Sequence, residues 1–504
     1  MTVLMEGQAP RTGANRINSQ FVLVGAVLMV IIASRFAMLN YNSASVDEAI
    51  ALSVGHRVLS GDFRDNALQW MAGSYGHPVA AALAASLSPS GLENARGLSA
   101  LFGSISAFGV YLIALRLFGR QAALLAMVIY GFTGVSMFVA TQATAASMGS
   151  ALLATGAGLL TFGLTTPIPK RQLPLLLAAA FCFGLAIWTQ YIVVLWLLPI
   201  GVFALILALR GDWPRLGILF GGFIAPVTVM LVGYPLLAGV EPGHFLGQMI
   251  PWSNLTSPNM ATTERLSSAI RLPLALALCV FLPGLPDQTR SKRIPLALLW
   301  VAALIAPLVC LFAIPRIPLE QLMAYAIVFL APLAGLGMLL LLRMITQGAN
   351  RQMVALALTA LYLLVALQIW NDYAWGMQRT WPNVNRVVAN LRTLPVTPET
   401  PILAEGGNIY DYYLGWGSGA QLTATWSSDF TYAGQRGADA LETAVNEGHF
   451  TYLVLDRYYT PDVSARLVRA ATTHGYRVIF QDTVQIPGGS QQPVTTEVYA
   501  RLPR

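Results

Sequence analysis

Residues 45–48 read Ser-Val-Asp-Glu and open a helical stretch that runs from Ala49 to Ser60. Asp47 carries a carboxylate that can take a proton from a hydroxyl, the task of a general base. Ser45 and Glu48 stand at capping-box spacing, which signals a helix start. Glu48 therefore has two readings, a cap or a second catalytic carboxylate, and both stay open. On a 3.6-residue wheel Ile50, Ala51, Val54 and Val58 share one face, while Ser53, His56, Arg57 and Ser60 share the other. That pattern predicts a short helix lying along a membrane surface. Asp47 falls at the start of the apolar face, where a carboxylate is costly without a task or a partner. The helix N-terminus is expected to keep it ionised.

Further along come Tyr75-Gly76-His77-Pro78 and Leu92-Glu93-Asn94-Ala95-Arg96. Proline after His77 can open the next helix. Glu93 and Arg96 are one turn apart and can form an ordinary helical ion pair. His77, Arg96 and Arg316, the last in the short stretch Arg316-Ile317-Pro318-Leu319-Glu320, are the basic candidates for holding a phosphate. Glu93, His244 and Tyr410 are the candidates for contacts to a second substrate. Tyr410 stands beside Asn408, Asp411 and Tyr412, after a predicted strand.

The elements that must position these residues are membrane helices. Of the 504 residues 56% are hydrophobic and only 11% charged, against roughly 25% charged in soluble domains. A chain this poor in charge cannot cover a soluble surface. Its apolar residues come in long runs without the alternation of a β-barrel strand. Eleven runs are long enough to span a bilayer: 21–39, 97–118, 121–140, 144–164, 173–189, 191–209, 216–238, 269–286, 294–314, 321–342 and 352–370. With residues 1–20 in the cytoplasm, the inside connections carry Arg116 and Arg120, Lys170 and Arg171, Arg210 and Arg215, Arg290 with Lys292 and Arg293, and Arg343 with Arg351. Each holds two or more basic residues, as the positive-inside rule requires. The connections 40–96 and 239–268 then lie outside, and so does the tail, 371–504. The tail alternates apolar β-type runs (401–405, 451–456, 476–483, 495–500) with helical stretches (383–394, 438–447, 462–473), the pattern of an α/β domain.

The order of span, Asp47-Glu48, amphipathic helix, Ser60-Gly61-Asp62, His77-Pro78 and Glu93-x-x-Arg96 resembles the GT-C membrane glycosyltransferases. It is nearest to the protein O-mannosyltransferases and the lipid A aminoarabinose transferases. The pattern covers about residues 20–120, and Arg316 to Tyr325 to Pro332 is similar to a late span of that family. The resemblance implies a sugar taken from a polyprenyl-phosphate donor in the lipid bilayer and placed on an acceptor outside the inner membrane. It implies that Asp47 is catalytic and that His77 stands at the family's His/Lys-Pro step; Asp47 with Glu48 could assist a divalent ion, but the resemblance points to transfer without a metal cofactor. The chain departs from the pattern in two places. Ile50 stands where an arginine follows the Asp-Glu pair, and Gly76-His77-Pro78-Val79 lacks the Glu and second Pro of the aminoarabinose enzymes. The identity of the sugar and acceptor therefore does not carry over. Independently of the resemblance, a glycosyl phosphate already holds a good leaving group and needs a base and cations for the phosphate.

Scattered basic residues give no support for nucleic acid as a partner. Cys182, Cys279 and Cys310 all sit in apolar runs, which speaks against a disulfide framework or thiolate metal site. Two other readings are a transporter or flippase, and a non-catalytic scaffold subunit of an envelope assembly. A transporter would carry mid-membrane charges and paired broken helices, and here Arg35 is the exception in nearly charge-free spans. The topology is open to a direct test. A reporter fused after Arg504 is expected to be active only outside the cytoplasm, and cytoplasmic activity would overturn the assignment.

Overall fold

In the computed structural model the described residues are 13–61, 73–87, 91–237, 260–281, 293–312, 319–345, 362, 365, 376–415, 421–486 and 493–501. The helices of the first part are α1 (Gly13–Phe36), α2 (Val46–Leu59), α3 (Gly76–Ser86), α4 (Gly91–Phe118), α5 (Arg120–Gly131), α6 (Gly134–Ala140), α7 (Ala145–Thr165) and α8 (Pro169–Thr189). A 3-10 turn, Tyr191–Leu197, leads into α9 (Leu198–Leu209). Then follow α10 (Trp213–Leu219) and α11 (Ala225–Leu237), joined by a π turn, and α12 (Met260–Leu278), α13 (Arg293–Phe312) and α14 (Leu319–Ile345).

Among the described residues seven helices are long and apolar enough to cross a membrane, and α5 with α6 makes an eighth crossing if that pair, bent by 63°, counts as one span. The predicted span 121–140 is therefore broken, at Phe132-Thr133. The runs at 21–39 and 269–286 hold shorter apolar helices, Phe21–Phe36 and Ala269–Phe281. The eleventh run, 352–370, lies almost entirely outside the described residues. Helix α14 is central: 94% of its most apolar window is buried by its neighbours. This burial explains its apolar face all round.

The tail contains α15 (Asn385–Leu391), β1 (Pro401–Ala404), α16 (Gly407–Tyr410), β2 (Gln421–Ala424), a small β3–β4 hairpin (Thr431–Tyr432, Gln435–Arg436), α17 (Ala438–Glu447), β5 (Tyr452–Leu455), α18 (Pro461–Thr473), β6 (Tyr476–Val484) and β7 (Val494–Arg501). Five strands form one sheet in the order β2-β1-β5-β7-β6. β1 runs parallel to β2 and β5, while β7 is antiparallel to β5 and β6. Successive strand residues point to opposite faces. Leu403, Leu453 and Leu455 pack on α17 and α18. Ile402, Ala404, Tyr452 and Val454 face the other way, into a core shared with Ala44, Ala49, Leu52, Ala81 and Ala95. The α/β tail thus rests directly on the connection that carries Asp47.

That docking changes the character of α2. Of its predicted polar face Ser53 is buried, while His56 and Arg57 stay partly exposed and Ser60 exposed. Ala49, Ala51, Leu52, Ser53, Val54 and Gly55 are all buried, because α3 covers one side and the tail another. Gly55 permits the close approach of α3: an added Cβ would run into the backbone carbonyl of Pro78 and lie 2.8 Å from the Ala82 Cβ. Gly55→Ala is expected to destabilise the protein by about 1–3 kcal/mol, the usual cost of overpacking. Gly25→Ala, where a Cβ meets nothing within 4 Å, is the control. Equal melting temperatures for the two variants in detergent would refute this packing account.

Candidate active site

Ser45 caps α2 as its spacing predicts. Its Oγ accepts from the Glu48 amide at 3.3 Å, and its own amide donates to Glu48 Oε2 at 3.0 Å. Glu48 does more than complete the cap. Arg96 Nε donates to Oε1 and Arg96 Nη2 to Oε2, both at 2.8 Å, and the Ala143 amide donates to Oε1 at 2.9 Å. Each carboxylate oxygen thereby accepts two hydrogen bonds, which fills its lone pairs. Burial alone would raise the Glu48 pKa, but the charge of Arg96 and the donated hydrogen bonds outweigh it and hold the pKa below the usual range.

Arg96 is equally committed. Besides its two bonds to Glu48, Nη1 donates to the carbonyls of Leu39 (2.9 Å) and Asn42 (3.0 Å), and Nη2 to that of Ser43 (3.2 Å). These five bonds use all five guanidinium donors. The Tyr41 ring covers the cation at 4.0 Å. Arg96 was expected at a donor phosphate and Glu48 as a catalytic carboxylate. The structure closes the two on each other, with 1% and 0% of their side chains exposed, and leaves neither a free site. Glu93, half-buried one turn before Arg96, receives none of its donors.

His77 is also corrected. It is buried in the first turn of α3, neither ring nitrogen has a hydrogen-bond partner, and burial pushes its pKa down to about 4. A neutral, enclosed imidazole supplies no cation for a phosphate. Tyr410 lies in the core shared by the tail and α2, and its hydroxyl is enclosed without a partner. It does not face a surface where an acceptor can bind. Its neighbour Asp411 pairs with Arg57 of α2 at 3.4 Å. Arg316 and His244 lie outside the described residues.

Asp47 is the contrasting case. It is solvent-exposed on the first turn of α2. The surrounding protein still desolvates its carboxylate, and Glu48 adds a like charge. Both raise its pKa above the usual aspartate range, against a hydrogen bond from Gln321 that lowers it. The helix N-terminus, expected to favour the ionised form, is thus opposed by burial and by the Glu48 charge. Gln321 Nε2 donates to Asp47 Oδ2 at 3.1 Å, Gln190 Nε2 donates to Gln321 Oε1 at 3.0 Å, and the Tyr325 hydroxyl donates to Gln190 Oε1 at 2.5 Å. Neither glutamine was singled out in the sequence. The only available signal was their position at the ends of apolar runs, where a buried amide needs a partner. Among the described residues no three His, Cys, Asp or Glu side chains are grouped to hold a metal ion.

Known proteins share this architecture. Residues 75–232 match the family model for dolichyl-phosphate-mannose-protein mannosyltransferase. No curated protein matches in sequence. ArnT from Cupriavidus metallidurans bound to undecaprenyl phosphate superposes with a TM-score of 0.64 at 18% identity, covering 95% of this chain and 98% of that one. The chain has the GT-C fold. The same fold relates it to the oligosaccharyltransferase AglB from Archaeoglobus fulgidus, in complex with an inhibitory peptide and a dolichol-phosphate (TM-score 0.55, 12% identity, 89% of this chain and 71% of that one). It also relates it to the arabinofuranosyltransferase AftD from Mycobacteria (0.53, 14%, 95% and 41%). Within this GT-C fold the Glu48–Arg96 pair is a structural lock. Glu48→Ala is expected to cost about 3–5 kcal/mol of stability, the cost of stranding a buried charge. Asp47→Ala should cost less, because it strands one neutral amide donor of Gln321 and no charge. Equal losses in both variants would contradict the division of labour between the two carboxylates.

Proposed function

We propose that this chain is a membrane glycosyltransferase that moves a sugar from a polyprenyl-phosphate donor to an acceptor hydroxyl outside the inner membrane, with Asp47 as the general base. The observation that carries the reading is the difference between neighbours: Glu48 is saturated and enclosed, while Asp47 is exposed and, among the described residues, anchored through one oxygen. The GT-C fold, shared with proteins whose structures hold undecaprenyl phosphate and dolichol-phosphate, supports the donor class.

In this reading Asp47 takes the proton from the acceptor hydroxyl as that oxygen attacks the anomeric carbon. The bond from that carbon to the phosphate oxygen breaks, and polyprenyl phosphate leaves with the bonding electrons. The proton on Asp47 then passes to solvent. A base with a raised pKa holds the proton more strongly in the transition state than an ordinary aspartate. Arg316 remains the proposed phosphate partner. Five residues before Gln321, it lies within about 18 Å of chain from the residue that holds Asp47. A scaffold subunit would leave the exposed, elevated carboxylate without a task.

Asp47→Asn is expected to lower turnover by about 10²–10⁴-fold while undecaprenyl phosphate still binds. The wild-type rate should fall as pH drops through the raised Asp47 pKa, because the protonated carboxyl can no longer accept. That acid limb should therefore lie above the ordinary aspartate value of about 3.9. A correctly folded Asp47→Asn protein with wild-type transfer rates would end this assignment.

A further inference from the structure

Three polar side chains run from the membrane interior to Asp47, and the proposed reaction has not yet used them. Tyr325 is fully buried in α14, its ring tilted against that of Trp196 at 5.3 Å between centroids. Gln321 lies one turn earlier on the same helix, so the two share a face. Gln190 closes α8 and bridges them. All three are nine-tenths or more buried.

The direction of this chain is dictated from one end. An ionised carboxylate only accepts. Gln321 must therefore turn its amide nitrogen to Asp47 and its oxygen to Gln190. Gln190 must then give its nitrogen to Gln321 and its oxygen to Tyr325, so the tyrosine hydroxyl must donate. Every link found has this polarity. Reversing any one glutamine would set two donors or two acceptors against each other inside an apolar bundle, where an unmet amide is costly. Space for the far end is supplied by Gly149 of α7, where an added Cβ would run into the Tyr325 hydroxyl.

We infer that Gln321, held by Gln190 and Tyr325, is a positioning residue that assigns the two oxygens of Asp47 different tasks. Oδ2 is tied down as a permanent acceptor, and Oδ1, which has no hydrogen bond among the described residues, faces the substrate and receives the proton. This rests on Asp47 being the base. Among the described residues the charge that acts on Asp47 is that of Glu48, which is closed on Arg96 behind it, so the chain can be altered without touching that pair.

The test is pH-difference infrared spectroscopy on the full-length protein in nanodiscs, with the Asp47 carboxyl band identified by its loss in Asp47→Asn. Gln321→Leu removes a hydrogen bond to the ionised form and should move the midpoint of that band up by about one pH unit, as loss of a charge-assisted bond implies. Tyr325→Phe and Gly149→Ala, neither of which alters a group in contact with Asp47, should move it the same way by less. The double variant Gln321→Leu/Tyr325→Phe should move it no further than Gln321→Leu alone, because Tyr325 acts through Gln321. Undecaprenyl phosphate, used as the binding probe, should bind all of them as it binds wild type. An unchanged midpoint in Gln321→Leu, or additive shifts in the double variant, would overturn the inference. If Gln321→Leu does not fold, Tyr325→Phe decides in the same way. The band reports on the carboxyl itself, so this result is separate from whether Asp47→Asn abolishes transfer.

Discussion

The enclosed ion pair between Glu48 and Arg96 is the constraint on which the rest of the site depends. It joins the first turn of α2 to the first turns of α4 and, through the Ala143 amide, to the approach to α7. Through the carbonyls of Leu39, Asn42 and Ser43 it also fixes the chain between α1 and α2. Removing two charges from water is costly, and such a pair is seldom a net source of stability against an apolar replacement. What it does is exclude alternatives. A rotation of α2 by one residue would strand a carboxylate and a guanidinium together, each without its hydrogen bonds. The orientation of Asp47, next in the chain, follows from that exclusion.

The tail builds on the same segment. Asn42 Nδ2 donates to the carbonyls of Gln378 and Trp381, Trp381 Nε1 donates to the Ser43 carbonyl, and the Ala44 amide donates to the Tyr413 hydroxyl. Residues 42–44 thus serve Arg96 on one side and the α/β domain on the other. Backbone groups in an irregular connection must find partners once they are buried, and here the two halves of the protein supply them. This is why α2 is buried where its sequence predicts an amphipathic surface helix. The wheel shows which residues share a face, but a second layer covering part of it cannot be read from it. Of the four polar residues on that face the buried one is Ser53, which is short, while His56, Arg57 and Ser60 keep exposed surface.

Local signals in the sequence were therefore sound, and the long-range ones were not legible. The capping box needs only positions 45 and 48, and the α/β alternation of the tail needs only runs of about ten residues. By contrast, the nearest sequence partner for Arg96 is Glu93, while the partner it takes is 48 residues away. His77 looks like a cation when only its proline neighbour is visible, because burial is a property of the packed bundle. The two glutamines that organise Asp47 are 131 residues apart and belong to no motif. Both stand at the outer ends of apolar runs in the predicted topology. A polar side chain there has two possible fates, contact with water or a partner across the bundle, and spacing does not distinguish them.

The adjacent carboxylates at 47 and 48 show how one helix turn can give the same chemical group opposite properties. Four donors, two of them from the Arg96 guanidinium, hold Glu48 as an anion, and its charge adds to burial in raising the pKa of Asp47. The pair does not share a proton, because only one member has an environment that lets the neutral form compete. Environments that drive neighbouring titratable groups apart are how folds separate a structural or electrostatic role from a proton-transfer role. A carboxylate with the same neighbours as Glu48 could not act, and one with no charged neighbour would be a weaker base. The closed pair therefore contributes to reactivity through the field it leaves at Asp47, although neither of its members has a vacant atom to offer a substrate.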